Sequence, residues 1–151
     1  MPRASDGAPF PDGSTLDGFA DVLGVLGMSR RLRILRLFLE VDDTLCGCEI
    51  ADVLELEDYQ VSRDLAALRR AGLVTTQERI GTWVHYGRVD QPDPTLERLL
   101  AVVAGLPLER PVRDRLGLRL EFRERAGCVL GVGDPEVIAA LETATSLPVL
   151  D

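Results

Sequence analysis

Residues 44–74, TLCGCEIADVLELEDYQVSRDLAALRRAGLV, carry two apolar stripes of helical period on either side of a short acidic turn. In the first stripe Ile50, Ala51, Val53 and Leu54 face inward over about two to three turns. In the second, Val61, Leu65 and Leu68 recur at three- and four-residue spacing until Gly72, a residue suited to the left-handed position that ends a helix. Glu57-Asp58 separates them, and two short helices joined by a tight turn constitute a helix-turn-helix. Directly downstream, LVTTQERI (73–80) and TWVHYGRV (82–89) are β-branched and aromatic runs joined near Gly81, as a β-hairpin requires. The order predicts a winged helix-turn-helix: a mainly α fold with a small β-hairpin wing.

Working outward, Ser14 or Thr15 is placed to cap a first helix with Leu16, Phe19, Ala20, Leu23 and Leu26 on one face, ended by Gly27. Ser29 is read as the cap of a second helix, RRLRILRLFLE (30–40), whose Arg30, Arg31, Arg33 and Arg36 form a solvated face. After the hairpin, PDPTLERLLAVVAG (92–105) is a helix with Pro94 in its first turn and Leu96, Leu99, Leu100 and Val103 as its stripe. A small domain has limited core to cover, so this helix and the first are the candidates for a dimer interface. Residues 112–126, VRDRLGLRLEFRERA, read as a charged amphipathic helix, and Asp134-Pro135 opens a last one. The organisation is therefore a leader at 1–14, a winged-helix DNA-binding domain at 15–106, and a C-terminal helical extension at 107–151 that contains Cys128.

At 151 residues the chain is one domain in size. No apolar run approaches the roughly 18 residues that span a bilayer, and the leader lacks the apolar stretch of a signal peptide. A cytoplasmic protein without membrane contact is expected. There thiols remain reduced, and three cysteines are ligands, sensors or core fillers rather than disulfides. The net charge of −8 taken alone opposes DNA binding, but its distribution matters more: nine Arg face eleven Asp and Glu between residues 30 and 90. Every basic residue is Arg, which suits bidentate contacts to phosphate or guanine. One His, no Gly-rich phosphate loop and no nucleophile with a base at recognisable spacing argue against an enzyme.

Three pieces, LRILRLFL, TLCGCEIADVLEL, and VSRDLAALRRAGLV followed by WVHYGRV, resemble the ArsR (SmtB/ArsR) family of metal-responsive winged-helix repressors over about residues 29 to 105. The Cys46-Gly47-Cys48 pair points within it to the arsenic-responsive members. The resemblance implies a homodimer that binds palindromic double-stranded operator DNA and is released when arsenite or antimonite, the inducer, binds; no constitutive cofactor is implied. It places the recognition helix at residues 59–71, with Tyr59, Gln60, Ser62 and Arg63 near its major-groove end. Gln60 would read adenine, Arg63 guanine or a phosphate, and Ser62 a phosphate, while Arg79 in the wing meets the minor groove or backbone. Asp64 departs from the family, which commonly has a basic or neutral residue there, and Glu57 and Asp58 add negative charge beside the expected phosphates.

Cys46 and Cys48 are the candidate metal ligands, with two small core residues as the alternative. Helical residues turn by about 100°, so sulfurs two apart diverge by about 200° in a regular helix. Sharing an ion requires them within roughly 4.6 Å, so chelation is expected to unwind the turn around Gly47. Cys128 is the only other thiol, taken as a third ligand by inventory or else as a buried hydrophobe. Two neighbouring readings stay open: cadmium or lead at the thiolates, and a thiol-based redox sensor, for which no cation is evident beside the pair. His85, the sole histidine, reads as a wing residue.

Overall fold

The computed structural model describes residues 14–80, 83–126 and 135–145. In chain order the elements are α1 (Leu16–Leu26), α2 (Ser29–Glu40), β1 (Leu45–Cys46), α3 (Gly47–Leu54), α4 (Asp58–Arg70), β2 (Val74–Ile80), β3 (Trp83–Arg88), α5 (Pro94–Ala104), α6 (Arg110–Ala126) and α7 (Pro135–Thr145). The expected winged helix-turn-helix is present as α3, α4 and the β2–β3 pair. The leader, the hairpin tip at Gly81 and Cys128 lie outside the described residues.

Capping chemistry explains most helix ends. Thr15 accepts the Gly18 N–H at 3.0 Å and Asp93 accepts from Thr95 and Leu96 ahead of Pro94. Ser29 does not cap α2 as expected: Met28 occupies that position without a side-chain bond, and Ser29 is already helical. Recognition helix α4 ends in a pair of bonds, Leu73 N–H to Leu68 O and Gly72 N–H to Arg69 O, each 3.0 Å. This arrangement needs Gly72 at φ 74°, where a side chain is strained. The turn between α3 and α4 is Glu55, Leu56 and Glu57; Glu55 itself is left-handed (φ 56°), and Leu56 N–H closes onto Ala51 O.

The sheet has a strand that the sequence did not disclose. Leu45–Cys46 pairs antiparallel with β3, giving the order β1-β3-β2 and setting Leu45 against Tyr86 and Cys46 against His85. The wing is thereby stitched to the residues that open α3. On its other side Arg88 donates to the carbonyls of Phe38, Leu39 and Val41, satisfying acceptors that the end of α2 leaves unpaired.

One core joins Ile34, Leu35, Leu37 and Phe38 of α2, Ile50 and Val53 of α3, Val61, Leu65 and Leu68 of α4, and Leu96 and Val103 of α5. It continues past residue 106 through Leu108 and Leu116, so α6 packs on the same interior. Phe122, Val137 and Leu141 make a smaller cluster between α6 and α7. The arginine face of α2 is not simply solvated. Arg36 is buried, donating to Leu106 O at 2.8 Å and to Glu40 at 2.9 Å.

Candidate nucleic-acid interface and cysteine site

Helix α4 buries Val61, Asp64, Leu65 and Leu68 and presents Tyr59, Ser62, Arg63, Arg69 and Arg70 outward, as the three- and four-residue spacing requires. Tyr59 is 63% exposed at the leading end. Arg79 is exposed on β2. Gln60 is half-buried, and its amide oxygen accepts the Glu57 N–H at 3.0 Å, so half of the amide needed to grip adenine already closes the helix start. Four of the five proposed DNA contacts are thus outward-facing, and Gln60 has a local partner.

Asp64 sits 0% exposed, so its charge does not meet incoming phosphates. Arg30 and Arg31 of α2 hold the carboxylate, Arg31 at 3.1 Å and Arg30 through both Nε and Nη2. Burial pushes the Asp64 carboxyl up, but the bonds from Arg30 and Arg31 outweigh it and keep it below the usual carboxylate range. The same pairing raises the Arg30 guanidinium.

The cysteine geometry corrects the expectation of divergent sulfurs. Cys46 is outside the helix: it ends β1 and caps α3 with extended backbone (φ −91°, ψ 161°), so its side chain does not follow the helical screw. Cys48 is the second residue of α3, and the two sulfurs meet as a disulfide across a Cα–Cα distance of 5.5 Å. The two sulfurs are thus placed against each other, and no unwinding around Gly47 is needed to bring them together. Gly47 is not conformationally required either. A Cβ there would lie 3.8 Å from Leu65 Cδ1 and Val61 Cγ1, an ordinary contact.

Charges from the C-terminal extension surround this pair. Arg115, Arg119 and Arg123 recur every four residues along one face of α6, and α3 offers Glu49, Asp52 and, at its cap, Glu55 every three. Arg119 is 1% exposed and donates to Asp52 at 2.9 Å, with Nη2 also 3.9 Å from Cys48 Sγ. Arg123 binds Glu49, Asp43 and the Thr44 carbonyl, while Arg115 donates to Asp52 O at 2.6 Å and pairs with Glu55. Glu49 in turn accepts the Cys46 N–H at 2.9 Å. The sequence places no cation near the cysteines, yet Arg119 is there, 71 residues downstream of Cys48. The only advance signal was the four-residue Arg stripe, which in isolation reads as a solvated face.

His85 lies on wing strand β3, as expected. It is buried at the base of the wing, opposite Cys46, with Nδ1 3.2 Å from Thr44 Oγ1. Among the described residues no three His, Cys, Asp or Glu side chains are gathered as a metal-binding set. No described helix is long and apolar enough to cross a membrane.

A helix-turn-helix with an arginine-bearing outward helix and an antiparallel wing defines a winged-helix DNA-binding regulator. The sequence profile described as bacterial regulatory protein, arsR family, matches residues 28–76, the span from α2 into β2. ArsR2 and ArsR of Halobacterium salinarum, both provisionally named arsenical resistance operon repressors, are each 32% identical. The first aligns over 64% of this chain and 83% of its own length, the second over 58% and 67%. The arsenical resistance operon repressor of Escherichia coli is 37% identical over 41% of this chain and 51% of its own. The chain belongs to the ArsR family of bacterial regulatory proteins.

Proposed function

We propose that this chain is an arsenite- or antimonite-responsive transcriptional repressor that binds operator DNA as a homodimer and leaves it when trivalent arsenic bonds Cys46 and Cys48. The observation that carries the reading is the meeting of two sulfurs at the residue joining β1 to α3, one turn-helix step from the recognition helix. Sulfurs already within bonding reach of each other can share one soft atom with small side-chain rotations. In the dithiol form, arsenous acid loses two hydroxyls, each leaving as water with a thiol proton, and two As–S bonds form. Cys128 is the candidate for a third As–S bond. The relatives named for arsenical resistance support the choice of inducer.

Transmission does not call for melting α3. Bonding both sulfurs to one arsenic ties Cys46 to Cys48 at a new separation, and Cys46 is shared by the sheet and the helix. Displacing α3 displaces α4 through their three-residue turn, which spoils half-site spacing in a dimer. A coupling of about 1–3 kcal/mol weakens operator binding roughly 5- to 150-fold. Leu16 and Leu23 on α1 and Val102 on α5 are exposed and apolar, which supports these helices as the dimer face.

The disulfide and the buried Arg119 beside Cys48 favour a second reading, in which oxidation of the pair is itself the signal. A peroxide would take both thiol protons and two electrons and leave as water. A gel shift on the DNA upstream of the chain's own gene separates the two. Release of the reduced protein by arsenite supports the arsenic reading; release by peroxide with arsenite inert supports the redox one.

A further inference from the structure

Glu57 and Gln60 close the start of recognition helix α4 on each other. The Gln60 amide oxygen accepts the Glu57 N–H at 3.0 Å, and the Glu57 carboxylate accepts the Gln60 N–H, a reciprocal capping box. A side-chain amide is planar and carries its oxygen and its NH2 on opposite sides of one carbon, so an oxygen turned back to the helix start sends the NH2 away from it. Nε2 has no acceptor among the described residues. Gln60 is half-buried, so part of its side chain reaches the surface beside the exposed Glu57, Asp58 and Tyr59. From residue 57 to 62 the side chains are Glu, Asp, Tyr, Gln, Val and Ser, so Gln60 carries the only side-chain nitrogen at this end of the helix.

Reading adenine with glutamine takes both halves of the amide, the NH2 on N7 and the oxygen on the N6 amino group. In Gln60 the oxygen is committed to the cap, which leaves donors alone to face a base. Toward the middle of the major groove guanine O6 and thymine O4 accept, whereas adenine N6 and cytosine N4 donate. The N7 acceptor is shared by guanine and adenine and does not separate them. A donor-only side chain bonds the keto bases and sets hydrogen against hydrogen at the amino bases. We propose that Gln60 is a specificity-determining residue that selects guanine or thymine over adenine or cytosine at one position of each operator half-site. Its cap to Glu57 is what removes the adenine contact that the residue type alone suggests, and it orders the amide before DNA arrives. The proposal rests on the operator-binding reading above but not on the identity of the inducer.

Gln60→Glu keeps the cap, because a glutamate oxygen at this third helical position accepts the same N–H, and it replaces the outward NH2 with a second oxygen. The full-length reduced wild type, Gln60→Glu and Gln60→Ala each select sites from a double-stranded DNA library with a randomised segment. Fluorescence anisotropy then measures affinity as each base pair of the wild-type site is reversed in both half-sites. The added charge lowers overall affinity, so the preference ratio is the readout. Expected is one position per half-site at which wild type prefers guanine or thymine by about 2- to 12-fold, Gln60→Glu prefers adenine or cytosine, and Gln60→Ala has no preference. Should Gln60→Ala not fold, by circular dichroism, Gln60→Glu decides. A wild-type adenine preference at a Gln60-dependent position, or a selected site indifferent to both substitutions at every position, overturns the proposal and leaves operator binding standing. If wild type selects no site, both fall. A keto preference that reverses in Gln60→Glu supports the proposal even where arsenite fails to release the complex, an outcome that would remove the inducer assignment alone.

Discussion

Asp64 lies on the recognition helix, yet its carboxylate turns inward to Arg30 and Arg31. Its folded-state pKa is depressed, so it contributes stability that is fully present above the unfolded value and is lost as pH falls through the folded one. Asp64→Asn strands two guanidiniums, so a loss of about 3 kcal/mol at neutral pH is expected, a fall in Tm of roughly 6–12 °C. The gap to wild type narrows in thermal melts taken below about pH 4; a gap that widens with acid contradicts the assignment. Gly47 makes a contrasting case. Since a Cβ there meets only ordinary contacts and the sulfurs already converge, Gly47→Ala is expected to fold normally, by circular dichroism, and to keep arsenite release. The sequence showed that Asp64 was unusual but not which way it points, because its partners lie 33 and 34 residues upstream. It likewise named Cys46 and Cys48 but put both in the helix; a strand of two residues is too short to show a period, so Cys46 could not be recognised as the last extended position.

At the level of elements, α6 clamps the cysteine helix. Arg119→Met removes the buried ion pair to Asp52 and is expected to destabilise the chain in urea denaturation by a few kcal/mol, on the order of 3, and adding Asp52→Leu is expected to recover part of it. Equal loss in single and double variants would show that the ion pair is not what is being measured. Helix α4 gives the complementary prediction on its outer face. Arg63→Ala, an exposed position, is expected to leave stability within about 0.5 kcal/mol while reducing operator affinity by about 1–3 kcal/mol. The helix-turn-helix and hairpin were legible because apolar spacing and a Gly72 stop are local signals. The α3–α6 ladder was not, since each stripe of charge is indistinguishable from a solvated face until the docking of the two helices is known.

For the whole molecule, the acidic balance of −8 leaves DNA affinity dependent on the arginines gathered on α4 and the wing. Binding is expected to fall steeply with salt. Val102→Glu, at an exposed position of α5, is expected to yield folded monomers by sedimentation with weakened operator binding; an unchanged dimer would move the interface elsewhere. Family and fold followed from contiguous sequence, whereas the surroundings of the sulfurs come from three distant places: β3, the start of α3 and the middle of α6. Under the proposed function, the sulfurs of Cys46 and Cys48 control operator affinity. Fluorescence anisotropy of labelled operator with reduced protein, in the presence and absence of saturating arsenite, tests it in wild type and in the double variant Cys46→Ser, Cys48→Ser. Roughly 5- to 150-fold weaker binding is expected for wild type and no change for the variant. Equal operator affinity of wild type with and without bound arsenite would contradict it.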